Sequence, residues 1–120
     1  MSVDGVAAAA SVGLGGTAGA LARFAVDSRL GGRRATFAVN VLGSVALGAV
    51  TTAPVGGVLG LAAGTGFCGA FTTFSSFAVG VDELARDGRR VGAAGYAAGT
   101  LVAALAGVLV GSTLAAALSG

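Results

Sequence analysis

The run GFCGAFTTFSSF, at residues 66 to 77, brings glycines, hydroxyls and phenylalanines together inside a stretch from Pro54 to Val81 that contains no charged side chain. Unpaired backbone groups at bilayer depth are costly, so irregular backbone in such a stretch has to line a site. Aromatic rings have a positive edge and a negative face, and a ring therefore contacts an anion edge-on or a cation face-on. These residue types indicate contact with a small ion.

The spacing of the aromatic residues indicates one shared helix face. Phe74 and Phe77 are three residues apart, and Ser75 and Ser76 turn away from the face that the two rings share. The same spacing is also that of ordinary helix packing. Both interpretations, an aromatic ion contact and plain packing, stay open on spacing alone.

Three more polar side chains, and one charged one, lie in or beside apolar segments. Asn40 is the only strongly polar side chain well inside its segment, and its amide favours either an interhelical hydrogen bond or a place on an ion path. Tyr96 and Thr100 are four residues apart, so their hydroxyls line one stripe. Arg23 either snorkels to the membrane interface or collects anions at a vestibule.

The elements that position these residues are membrane helices. The chain has 120 residues, 55% of them hydrophobic and 10% charged, whereas a soluble domain has about 25% charged residues. A spanning helix needs roughly 20 apolar residues, and the charges, together with the turn near Pro54, divide the chain into four such segments. We place them at Val6 to Phe24, Thr36 to Ala53, Val55 to Val81 and Val91 to Leu118. The sequence predicts an all-α, multi-pass membrane protein with one four-span domain, residues 1–120.

The third segment is too long for one straight helix. Its 27 residues would extend roughly 40 Å at about 1.5 Å per residue, against a hydrocarbon core of about 30 Å. Gly66 and Gly69 weaken the helix there, so we predict a break near Gly69 to Thr73 whose carbonyls face inward. A kinked but continuous helix is the alternative.

The spans lack the residues that most membrane chemistry requires. No Asp, Glu, His or Lys lies within them, and the single Cys68 has no second Cys or His with which to form a disulfide or a metal site. We therefore expect no enzyme, and proton-coupled transport loses support. A neutral path of amide, hydroxyl and ring edges suits a small anion that is bound loosely.

Three strings, GGTAGALARF at 15 to 24, NVLGSVALG at 40 to 48 and GFCGAFTTFSSF at 66 to 77, resemble the Fluc (CrcB) family of fluoride channels. The resemblance covers the four spans. It implies an antiparallel, dual-topology dimer in the cell membrane, with the third helix broken at the midplane. It also implies passive fluoride export that relieves fluoride toxicity, and no nucleic-acid partner.

The resemblance also assigns roles to individual residues. The backbone carbonyls of Gly69 and Thr72 would hold a structural sodium ion near the two-fold axis. Phe74 and Phe77 would meet fluoride, and Arg23 would sit at the cytoplasmic vestibule. The rest of the pore would be lined by Asn40, Ser75, Ser76, Tyr96 and Thr100.

Two alternatives from other classes are compatible with the size of the chain. A small four-helix exporter would share the antiparallel assembly, but it needs an acidic residue in the first span, which has none. A holin-like or structural membrane protein would fit the glycine-rich helices, yet it does not require Asn40 together with a broken third span.

The basic residues predict the orientation of the chain. All arginines outside the spans lie in the first and third connections: Arg29, Arg33, Arg34, Arg86, Arg89 and Arg90. By the positive-inside rule this favours one orientation, with both termini outside. We hypothesise pairing with a related subunit of opposite charge bias, while a homodimer remains the alternative.

Overall fold

A computed structural model describes residues 4–119, and every regular element in that range is helical. The elements are α1 (Gly5–Leu30), α2 (Gly32–Thr52), α3 (Gly57–Gly60), a π-helical segment (Leu61–Cys68), α4 (Gly69–Phe71), α5 (Phe74–Arg86) and α6 (Arg90–Ser119). Four stretches are long and apolar enough to cross a membrane, and the third of them is Gly57–Arg86. The predicted all-α, four-span class is confirmed. Residues 1–3 and 120 of the predicted domain lie outside the described range.

Six of the eight helix ends lie further out than the apolar segments predict, and the other two, at Thr52 and Gly57, lie one and two residues further in. α1 begins after Asp4, whose Oδ1 accepts a hydrogen bond of 2.8 Å from the Ala7 N–H. It continues through charged residues to Leu30, because only Gly31, at φ +67°, interrupts the helix. The apolar count locates the membrane-embedded part of a helix, whereas caps and positive-φ glycines decide where the helix ends.

Glycines bring α1 against the first half of the third span. A Cβ on Gly15 would overlap the Ala62 carbonyl, and a Cβ on Gly19 would overlap the Phe67 carbonyl. The two backbones are therefore in direct contact. Lipid provides no hydrophobic drive for helix association, so this close van der Waals packing is a main source of stability.

A second glycine contact joins α2 to α6. A Cβ on Gly48 would overlap the Val108 carbonyl, and one on Gly111 would overlap the Val45 carbonyl. The Ser112 hydroxyl adds a hydrogen bond of 3.2 Å to the Gly48 carbonyl. These two helix pairs form the frame that holds the remaining element, α5.

The third span, which begins with α3, changes its backbone geometry four times. The π-helical segment has i→i+5 spacing, as in the bond from the Gly69 N–H to the Gly64 carbonyl. α4 follows, and then Thr72 and Thr73 are extended before α5 begins. We call Thr72 and Thr73 the break. The predicted interruption in this span is confirmed, and it falls at residues 72–73, whereas its depth in the bilayer stays a prediction.

Candidate functional site

The break is the only place in the described range where extended backbone lies inside a membrane-capable span. Thr72 has φ −84° and ψ 161°, and Thr73 has φ −148° and ψ 118°. The Thr73 hydroxyl caps α5 by accepting a hydrogen bond of 3.2 Å from the Ser76 N–H. The chain thus restarts a helix in the middle of the span.

Asn40 of α2 holds the break in place through two hydrogen bonds to one residue. Its Nδ2 donates to the Thr73 carbonyl at 3.0 Å, and its Oδ1 accepts from the Thr73 N–H at 2.8 Å. An amide side chain matches the donor and acceptor of a peptide unit, so it satisfies both backbone groups that the broken helix frees. Of the two interpretations left open by the sequence, the interhelical bond is present, and a pore role for the same amide stays a prediction.

Arg23 also reaches the break. Its Nη1 donates a hydrogen bond of 3.2 Å to the Thr72 carbonyl, and the side chain is half-buried. The guanidinium therefore points toward the middle of the third span rather than away from the bundle. The sequence provided no signal for this contact, which joins residues 49 positions apart.

The two carbonyls expected to hold a cation both lie off the regular helical ladder. The Thr73 N–H, which would bond the Gly69 carbonyl in a continuous helix, donates to Asn40 instead. Gly69 is exposed, and a Cβ there would meet nothing within 4 Å. Among residues 4–119 no group of His, Cys, Asp and Glu could hold a metal ion. Any cation at the break would depend on backbone oxygens.

The aromatic side chains form a short chain of neighbouring rings. The Phe74 and Phe77 ring centroids are 5.8 Å apart, and those of Phe77 and Tyr96 are 5.5 Å apart, both at tilted angles. Phe74 is 78% exposed in the single subunit. Because most of the Phe74 ring is exposed, both its edge and its face are accessible to a molecule that lies beside the break.

A cavity of about 750 Å³ lies beside the break, between α2, the third span and α6. Six of the residues singled out from the sequence line it: Asn40, Gly69, Thr72, Phe74, Phe77 and Thr100. We call this the aromatic cavity. Within the described part of the chain, the Thr100 hydroxyl and the nearby Tyr96 hydroxyl are buried without a hydrogen-bond partner. A buried hydroxyl without a partner is costly, so both groups are suited to bind a ligand or water.

The serines lie on the other side of α5, as their spacing predicts. They line a second cavity of about 370 Å³, together with the hydroxyl of Thr36 and three charged residues. We call this the charged cavity, and its polar lining consists of Asp27, Arg33, Thr36, Ser75, Ser76 and Glu83. Tyr96 lines neither of these cavities but a third one of about 360 Å³, next to Arg33 and Arg34. The predicted residues are thus divided between three cavities and the break.

The sequence analysis missed four polar residues that line the charged cavity: Asp27, Arg33, Thr36 and Glu83. Thr36 is four residues before Asn40, and so lies on the same face of α2, which is a signal that spacing could have provided. Arg33 carries no such signal, because its position depends on how α2 packs against α5.

Residues 10–112 match the sequence model of the family described as "CrcB-like protein, Camphor Resistance (CrcB)". The chain belongs to the CrcB family. The matched range includes Asn40, the break and both unpartnered hydroxyls, so the whole aromatic cavity is part of the CrcB domain.

Named relatives of this CrcB chain come from archaea and bacteria. It is 54% identical over 111 residues to "Fluoride-specific ion channel FluC 2" of Natronomonas pharaonis, covering 92% of this chain and 96% of the relative. It is 42% identical over 109 residues to "Fluoride-specific ion channel FluC 1" of Nocardia farcinica, covering 86% and 73% of the two chains. Identity to "Fluoride-specific ion channel FluC" of Chlorobaculum tepidum is 42% over 114 residues, covering 87% and 90%.

Proposed function

We propose that this chain is a subunit of a fluoride-specific ion channel, which lets fluoride leave the cell passively and so relieves fluoride toxicity. The observation that carries the proposal is the similarity over nearly the full length to relatives named as fluoride-specific channels, 54% identical in one case. The protein is a channel and not an enzyme, and it is a multi-pass membrane protein.

The aromatic cavity supports this function because it is lined by uncharged groups that carry partial positive charge on an N–H, an O–H or a ring edge. Asn40 uses only one N–H of its amide on the break, so the other remains available. The Thr100 hydroxyl has no partner in the described range, and the Phe74 and Phe77 rings have positive edges. In this proposal fluoride passes these groups, with Tyr96, Ser75 and Ser76 further along the path and Arg23 at the vestibule. Neutral donors bind an anion loosely enough for it to leave again.

The functional unit in this proposal is an antiparallel dimer. In the single subunit Phe74 and Gly69 are both exposed, although both belong to the site. A second copy, or a related subunit of opposite orientation, would cover them and complete the wall of the pore. Because Arg33 and Glu83 approach to 4.0 Å, the two arginine-bearing connections lie at the same end of the bundle. The charge asymmetry therefore favours a single orientation for this sequence and a related subunit as its partner.

A structural sodium ion fits the backbone oxygens that the break of one subunit presents. Unwound carbonyls inside a membrane span commonly coordinate Na⁺, and the Gly69 and Thr72 carbonyls would hold the ion here. Thr72 also accepts from Arg23, but a carbonyl oxygen has two lone pairs. Two carbonyls are too few for full coordination, so the remaining ligands would come from the second subunit.

Efflux from liposomes tests the function. We expect vesicles that contain the purified protein to release fluoride passively and to retain chloride, while protein-free vesicles retain both. Chloride release at a rate comparable to fluoride would contradict the proposal. Uptake of a cationic drug driven by a proton gradient would instead favour the small exporter.

Replacement of Na⁺ by N-methylglucamine tests the structural ion. We expect the dimer to dissociate in detergent and fluoride release to slow, whereas the fold of each subunit persists. Release that does not depend on the cation would mean that the break holds no sodium.

Cysteine labelling from each side tests the orientation. Cys68 is buried, so it is a poor target, and Ser119→Cys and Asp87→Cys place single thiols at opposite ends. In the fixed orientation Ser119→Cys reacts only from outside and Asp87→Cys only from inside. Equal labelling of each site from both faces would indicate dual topology and a homodimer, and full fluoride release from the chain expressed alone would remove the need for a partner.

A further inference from the structure

The charged cavity continues from the aromatic cavity through a group of hydroxyls. Thr73 lines the aromatic cavity, and its Oγ1 lies 3.3 Å from the Ser75 Oγ and 3.2 Å from the Ser76 Oγ. Both serines line the charged cavity. Hydroxyls can each donate and accept, so a small hydrated anion meets a polar partner along this whole route. The charged cavity lies between α1, α2 and α5, at the arginine-bearing end of the bundle.

The balance of charge in this cavity depends on one residue. Its lining contains two carboxylates, Asp27 and Glu83, and a single guanidinium, Arg33. The lining is therefore negative as a whole, and it attracts an anion only where Arg33 is not neutralised by its neighbour. The Arg33 side chain is held there because its Cγ and the Tyr96 ring pack beside Gly80, where a Cβ would lie 3.2 Å and 3.0 Å from them.

The ion pair between Arg33 and Glu83 is weak enough to be replaced. Its N···O distance is 4.0 Å, and the two side chains are 41% and 60% exposed. The neighbouring pair of Arg86 and Asp82, on the outer face of α5, is much closer at 2.7 Å. Pairs as exposed and as long as Arg33 and Glu83 contribute little stability, so an arriving anion can take the place of the carboxylate.

We propose that Arg33 captures fluoride at the mouth of the path on the arginine-bearing side, and that Glu83 competes with the anion for the Arg33 guanidinium. This inference rests on the proposed function. The ion pair sets the fluoride concentration at which release is half-maximal, whereas the maximal rate of release is set deeper in the channel. Arg33 thus binds the permeating ion directly at the entrance of the path.

The test measures the initial rate of fluoride release from liposomes against fluoride concentration. Glu83→Gln is expected to lower the half-saturating concentration about threefold, and Arg33→Gln to raise it about three- to fivefold, on the scale of a partly exposed ion pair. Arg33→Lys keeps the charge and should restore most of the loss. Saturating rates should be unchanged in all three variants.

Two matched controls isolate the cavity from the overall charge. Asp82→Asn removes one negative charge from the position next to Glu83, and Arg34→Gln removes one positive charge next to Arg33, yet neither side chain lines the charged cavity. Both controls should leave the half-saturating concentration unchanged. A high concentration of an impermeant salt should reduce the effects of the Arg33 and Glu83 variants, because it screens exposed charges.

The outcomes separate this inference from the function itself. If the wild-type protein releases no fluoride, the proposed function fails. If the wild type conducts but Glu83→Gln equals Asp82→Asn, the capture role is wrong. The comparison of Glu83→Gln with Asp82→Asn remains valid even if Arg33→Gln does not fold. A fall in the saturating rate without a change in the half-saturating concentration would mean that Arg33 and Glu83 have only a structural role.

Discussion

The two halves of the third span are held by different forces. From Gly57 to Phe71 the chain lies against α1 with backbone touching backbone at glycines. From Phe74 onward the chain is fixed at its start by the hydrogen bonds of Asn40 and Thr73, and cavities lie on two of its sides. Close packing therefore fixes the position of the span, and polar contacts shape the half that borders the two cavities.

These two halves together show how a short chain can form a polar site within a lipid bilayer. Dense packing leaves no room for an ion, and a polar cavity alone would leave backbone groups without partners. This chain places the two in sequence along one span and joins them at the break. Variants that disturb each half should therefore have different consequences.

The largest effect is expected where backbones touch. Gly19→Leu forces a side chain into the Phe67 carbonyl, and overpacking of this kind costs roughly 3 kcal/mol or prevents folding. Thermal unfolding in detergent checks this. Gly13→Leu, in the same helix at a position where a Cβ meets nothing within 4 Å, should unfold like the wild type, and equal losses in the two variants would show that the contact is not close.

A smaller loss of stability is expected where Asn40 holds the break through its two hydrogen bonds to Thr73. Asn40→Leu leaves the Thr73 N–H and carbonyl without their partner, at a cost of about 2 kcal/mol, and fluoride release should stop. Thr51→Val is the control, since that hydroxyl bonds only the carbonyls of its own helix. A stable Asn40→Leu variant with normal release would mean that neither bond matters.

The hydroxyl that caps α5 should contribute less to stability than the Asn40 side chain. Thr73→Val removes the hydroxyl that accepts from the Ser76 N–H, with a loss of about 1 kcal/mol, whereas Thr73→Ser keeps the cap. Comparing the unfolding temperatures of the two variants measures the cap together with the contacts of this hydroxyl to the Ser75 and Ser76 hydroxyls. If the valine and serine variants unfold together, α5 begins without help from this hydroxyl.

The smallest effect on stability is expected at Phe74, together with a large effect on flux. Phe74 is 78% exposed in the subunit, so Phe74→Ile should change subunit stability by less than about 0.5 kcal/mol. Fluoride release should slow at least about tenfold, because the proposed contact between the ring edge and the anion would be lost. Phe24→Ile, at a ring on α1 that is 70% exposed, serves as the control, and unchanged release from the Phe74 variant would leave the ring with a packing role only.

Much of the fold could be predicted from where charges and the turn at Pro54 interrupt apolar residues, since together they locate every span. The break could be predicted because Gly66, Gly69 and the two threonines weaken a helix that is too long for the bilayer. The partners of the break could not. Asn40 and Arg23 are distant from it in sequence, and which carbonyl each one reaches depends on the packing angle of α1 and α2.

The π-helical geometry of Leu61–Cys68 was also beyond the sequence pattern. Contacts with α1 constrain it at both ends: a Cβ on Gly15 would overlap the Ala62 carbonyl, and a Cβ on Gly19 would overlap the Phe67 carbonyl. The chain between the two has to accommodate both, and a widened turn does so without losing backbone hydrogen bonds. Local propensity contains no information about such a constraint.

That widened segment has a consequence for the evolution of the chain length. If one residue were lost before Gly66, the widened turn could relax to ordinary α-helical spacing, and the residues on either side of it would keep their helix faces. The contact of Ala62 with Gly15 would therefore persist. Gly66, the break and α5 would keep their places. The third span can therefore gain or lose a residue on one side of the site without disturbing the other.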